Sequence, residues 1–147
     1  MDEASYRATR RAVNALPCVF EKALLARCAD CARVTRHALA EREALACGSP
    51  VARTNCETLH ALLRERSAFA VRIPPAGAAL PHAVAIRISC GGLRGLAESV
   101  GGTTADVHGL VQAAQERYGS LVDLPWPAIV ATIAGWQVRP RRARDPQ

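Results

Sequence analysis

A chain of 147 residues has the size of one domain and can bury a core without covalent staples, so its six cysteines are not needed to hold it together. Half of the residues are hydrophobic but only 4% are aromatic, and alanine dominates, which favours a small-residue, helix-rich core. The formal net charge of +6 is almost all arginine, with Lys22 the single lysine, so an acidic partner is favoured in general and none in particular.

The first 20 residues open on acidic residues and set Arg7, Arg10 and Arg11 inside the apolar pattern, unlike a secretory leader. The most apolar later stretch, "PAIVATIAGW", is too short to span a bilayer, so no membrane role and a cytoplasmic location are expected. In that compartment thiols stay reduced, which sets a disulfide framework aside.

Residues 3 to 16 predict a helix, with Tyr6, Val13 and Leu16 along one side and Pro17 as its stop, placed to pack as a lid. A second helical pattern runs through Phe20, Ala23, Leu24, Cys31 and Val34, with Cys28 at the edge of the same face. Thr54 followed by Glu57 predicts a capping box that opens a helix through Leu59, Leu62, Leu63 and Phe69. Cys56 would then sit in a first turn, where the helix dipole favours thiolate.

"FAVRI" and "AVAIRIS", on either side of a loop rich in Pro and Gly, predict a two-stranded hairpin with Cys90 at its end. "GGLRGL" and "GGTT" are expected joints. Thr103 and Asp106 mark a helix through Arg117 closed by Gly119, and a last helix opens near "DLPWPAIV". The expected architecture is mainly α: a small single-domain helical fold with one short β-hairpin. Residues 1–138 would form the cysteine-rich domain and 139–147, "RPRRARDPQ", a basic tail.

Cysteine spacing carries the chemistry. Nine residues separate Cys18 from Cys28, two separate Cys28 from Cys31, fifteen separate Cys31 from Cys47 and eight separate Cys47 from Cys56, with Cys90 far downstream. A two-residue gap lets two sulfurs converge on one zinc or one iron cluster. Structural zinc sites usually pair two such knuckles or add a paired histidine motif, whereas His37, His60, His82 and His108 are scattered. Single cysteines at irregular distances around one C-x-x-C suit a cubane reached from several segments. A thioredoxin-like use of "CADC" fails, because that motif needs a preceding strand and this one interrupts a helical pattern.

The expectation is an iron-sulfur protein, with a [4Fe-4S] cluster held by Cys28, Cys31, Cys47 and Cys56, acting in electron transfer, redox sensing or cluster handling. A redox or acidic protein partner follows. The alternative is a zinc-stabilised helical module, whose arginines bind an acidic protein or, ranked lower, nucleic acid. No phosphate loop or catalytic set is evident, so an enzyme is not favoured. The geometry raises an objection: a straight helix over residues 32–46 would hold Cys31 and Cys47 about 24 Å apart.

Overall fold

The computed structural model describes residues 2–13, 16–73 and 79–137. Its order is α1 (Glu3–Val13), α2 (Glu21–Leu25), β1 (Val34–Leu39), β2 (Arg42–Cys47), α3 (Pro50–Ser67), α4 (His82–Val100), α5 (Val107–Tyr118), a 3-10 turn (Leu121–Asp123) and α6 (Trp126–Gly135). The mainly α fold with a single two-stranded antiparallel hairpin is the one expected, but the hairpin lies elsewhere in the chain. The basic tail lies outside the described residues. Among the described residues no helix is long and apolar enough to cross a membrane.

Helix α4 is the centre of the molecule and packs against α2, α3, α5 and α6. Ile88, Leu93 and Leu96 of α4 meet Leu63 of α3 and Ile129 and Ile133 of α6 in one core, all fully buried. The segment "AVAIRIS", expected as a strand, is the start of α4. Its alternating Val84, Ile86 and Ile88 mimic a strand because α4 is buried on nearly every side and so has no polar stripe to reveal its period. "FAVRI" is the turn after α3, where Phe69 stands in solvent and Val71 turns inward.

"GGLRGL" is helix interior and not a joint. A Cβ at Gly91 would lie 2.9 Å from the Ile133 Cα, and one at Gly95 would lie 3.1 Å from the Ile129 Cα. These two glycines, one turn apart, let the α4 and α6 backbones touch.

The long second helix of the sequence reading also breaks. Helix α2 ends after one turn: Arg27 takes a left-handed φ of 61°, the Cys28 N–H donates to the Ala23 carbonyl and the Arg27 N–H to the Leu24 carbonyl. That Schellman closure lifts residues 28–33 off the helix. Residues 34–47 form the hairpin in place of the straight helix over 32–46 that the distance objection supposed, with Val34 opposite Cys47 and Leu39 opposite Arg42. Its two-residue turn starts at Ala40, whose φ is 56°. The segment around Pro17 lies along the other edge of β2: the Cys18 N–H donates to the Leu45 carbonyl at 2.8 Å, and the Cys47 N–H to the Leu16 carbonyl at 2.7 Å.

Candidate metal centre

Folding back at Ala40 removes the distance objection. Val34 is paired with Cys47, and the Gly48 N–H reaches the Arg33 carbonyl at 2.7 Å, so Cys31 comes to the end of the hairpin where Cys47 stands. The extended Leu16–Cys18 segment brings Cys18 to the same end. Helix α3 begins immediately afterwards, with Ser49 as its N-cap accepting from the Ala52 N–H at 3.2 Å. Cys56 shares the inward face of α3 with Ala52, Leu59 and Leu63, at helical spacing.

Cys18, Cys31, Cys47 and Cys56 therefore line one cavity, together with Phe20, Val34 and Val107. Every pair among these four sulfurs is close enough for one charge to raise the pKa of the other. The free space between them is about 20 Å³, room for one water-sized group. Among the described residues, no three Cys, His, Asp or Glu side chains stand ready to hold a metal ion as they are.

The chemistry of Cys18, Cys31 and Cys56 follows from burial. Desolvation pushes Cys18 up to about 11 and Cys56 up to about 12, and it raises Cys31 as well. The expectation of a dipole-activated Cys56 is thus corrected: α3 starts at Pro50, Thr54 is already inside it, and Cys56 lies in the second turn on the buried face. In this state the Cys18, Cys31 and Cys56 thiols keep their protons near neutral pH and are poor nucleophiles.

Polar groups nevertheless point at the sulfurs. The Phe20 N–H is directed at Cys18, the Arg33 N–H meets the Cys31 sulfur at 3.5 Å, and the His108 N–H also faces Cys31. Arg33, Arg53 and His108 complete the wall. Arg53 is fixed by its Nε–H bond to the Pro17 carbonyl at 2.7 Å and by its ion pair with Glu57. The loop carrying Cys31 is docked on the start of α5: the Asp106 carboxylate accepts from the Ala32 N–H at 2.9 Å, and the Val107 N–H donates to the Asp30 carbonyl at 2.8 Å.

Of the four cysteines expected as ligands, Cys31, Cys47 and Cys56 are brought together and Cys28 is not. Cys28 lies past the end of α2, where it meets Cys90 of α4, and Cys18 takes the fourth place in the cavity. Cys90 is a buried residue of α4 and not the end of a strand. Spacing alone leaves Cys18 outside the preferred set, since nine residues separate it from Cys28. Pro17, which ends α1's pattern and favours extended backbone before it, was the signal for a strand-like segment there. His108 and the two arginines had no such signal. No protein-family model, curated protein or solved structure matches this chain.

Proposed function

We propose that the protein binds one iron-sulfur cluster, a [4Fe-4S] centre held by Cys18, Cys31, Cys47 and Cys56, and serves in electron transfer, redox sensing or cluster handling in the cytoplasm. The observation that carries this reading is the convergence of four thiols, each from a different segment, on one apolar cavity. Backbone N–H groups aimed at two of the sulfurs and guanidinium groups in the wall are the means by which a protein stabilises an anionic thiolate cluster. Bound, the cluster would supply one-electron chemistry, and the chain would supply the thiolates, the N–H donors and the exclusion of water. The present free volume, about 20 Å³, is smaller than a cluster, so loading would require these side chains to move apart. Exposed Arg33 beside the cavity suits an acidic redox partner.

A single zinc at about 2.3 Å from four sulfurs would draw them to within about 4 Å of each other, whereas a cluster spreads its thiolates over its corners. Four donors on separate segments suit a cubane, whose corners can be reached from several parts of the chain. The test is anaerobic purification with ample iron, followed by iron, sulfide and zinc analysis and a visible spectrum, on the native chain and on Cys18→Ser and Cys28→Ser. The expected result is brown protein that loses iron in Cys18→Ser and keeps it in Cys28→Ser. Stoichiometric zinc without colour supports the zinc module instead, and iron lost from Cys28→Ser but kept in Cys18→Ser restores the set suggested by spacing.

A further inference from the structure

The two cysteines outside the cavity form a second thiol site. Cys28 and Cys90 line the same cleft with their side chains near enough to interact, one on the turn after α2 and the other near the middle of α4. Both backbones are pinned: Cys28 donates its N–H to Ala23 at 3.0 Å and accepts at its carbonyl from the Thr104 hydroxyl at 2.8 Å, while Cys90 is helical and flanked by the packed Gly91. The pair lies on an open cleft of about 830 Å³, whose walls include Arg27, Arg94, Thr104 and Trp136. The two thiols differ in access, Cys28 being half-buried and Cys90 only 2% exposed.

We propose that Cys28 and Cys90 are a redox-active dithiol that exchanges with low-molecular-weight peptide disulfides entering this cleft. Cys28, the accessible sulfur, attacks one sulfur of the incoming disulfide as thiolate; the S–S bond breaks, a mixed disulfide forms on Cys28 and the first thiol leaves. Cys90 then attacks the Cys28 sulfur, the mixed disulfide breaks, the Cys28–Cys90 bond forms and the second thiol leaves. Two electrons pass from the pair to the incoming disulfide, and the two cysteine protons end on the two released thiols. Burial and the contact with Cys28 hold the Cys90 thiol well above its ordinary range, which suits the resolving and not the attacking position. Arg27 and Arg94 at the cleft offer charge to the carboxylates of such a peptide.

The probe is glutathione disulfide added anaerobically to the full native chain, followed by alkylation of remaining thiols, trypsin digestion and mass spectrometry. The expected product joins "CADCAR" to "ISCGGLR" through Cys28 with a mass lower by two hydrogens, and carries no lasting glutathione. Cys90→Ala should instead keep glutathione on Cys28, and Cys28→Ala should leave Cys90 unmodified. A lasting adduct on Cys28 of the native chain, or fragmentation showing a Cys28–Cys31 bond, overturns the proposal. If Cys90→Ala fails to fold by circular dichroism, the native cross-link alone decides. Iron measured on the same samples separates the two sites: exchange without iron refutes only the cluster, and iron without exchange refutes only the dithiol.

Discussion

Burial at the four-thiol cavity sets a measurable reactivity. From an ordinary value of 9.0, Cys18 moves to about 11 and Cys56 to about 12. Near neutral pH the thiolate fraction therefore falls about 100-fold at Cys18 and about 1,000-fold at Cys56 relative to an unfolded chain, one factor of ten for each pKa unit. A more basic thiolate is also a better nucleophile, with a sensitivity of about 0.4–0.5 per unit, which returns roughly half of the loss on a logarithmic scale. The net expectation is alkylation about 10-fold slower at Cys18 and about 40-fold slower at Cys56, before any steric shielding.

The assay is a time course of iodoacetamide labelling on reduced, metal-free protein at pH 7.5, compared with the same protein in denaturant and resolved by peptide. Trypsin places Cys18, Cys47, Cys56 and Cys90 on separate peptides, while Cys28 and Cys31 share "CADCAR" and need fragmentation. If Cys18 and Cys56 label within about twofold of the denatured chain, the cavity is not formed and the reasoning fails. In iron-loaded protein the same experiment should protect all four cavity cysteines and leave Cys28 reactive.

Alkaline pH should destabilise the metal-free fold. The folded thiols of Cys18, Cys31 and Cys56 hold their protons above the unfolded value, so the unfolded chain binds fewer protons from about pH 9 upward; thermal melts should show stability intact below pH 9 and lost as pH rises through 11 to 12. Gly91→Ala puts a Cβ against the Ile133 Cα at 2.9 Å and the Trp136 Cβ at 3.0 Å. Overpacking of this kind costs about 1–3 kcal/mol, and helix propensity returns up to about 1 kcal/mol, so denaturant titration should show a net loss. Gly135→Ala, which meets nothing within 4 Å, is the control that should lose nothing. Ala40→Gly should raise stability by about 0.5–1 kcal/mol, because a left-handed φ of 56° costs alanine more than glycine; an unfolding midpoint that drops would argue against the turn.

Helix content was legible where the local signals were redundant. Gly119 closes α5 as expected, with φ at 80°, and Pro127 stands in the first turn of α6. The start of α5 falls later than the Thr103–Asp106 pair suggests: Thr103 lies outside the helix and Asp106 is its N-cap residue, with a carboxylate turned to the Ala32 N–H and serving the cysteine loop instead of the helix. The hairpin was illegible for two reasons. Eight of its twelve strand residues are Ala, Arg, Glu or Leu, which favour helices, and its turn uses Ala40 where glycine or asparagine would have announced a reversal. Burial on β2 also fails to alternate, since Ala44 and Leu45 are both buried. Tertiary packing, with Leu45 in the core and the Leu16–Cys18 segment paired alongside, overrides these preferences.

That one misplaced hairpin decides the candidate site. With residues 20–46 helical, Cys28 and Cys31 would share a helix face and Cys47 would be remote, so proximity in sequence selects the C-x-x-C pair. Once Arg27 stops α2 and Ala40 reverses the chain, Cys28 and Cys31 line different pockets. The register then does what the spacing could not: Val34 against Cys47, with Leu16–Cys18 on the far edge, delivers three thiols to one end of β2, and Ser49 starts α3 so that Cys56 faces them. The motif that looked like a metal knuckle is divided between two sites, Cys31 facing the four-thiol cavity and Cys28 facing Cys90. Substituting Cys28 and Cys31 separately should accordingly affect different chemistries, disulfide exchange for the first and iron for the second.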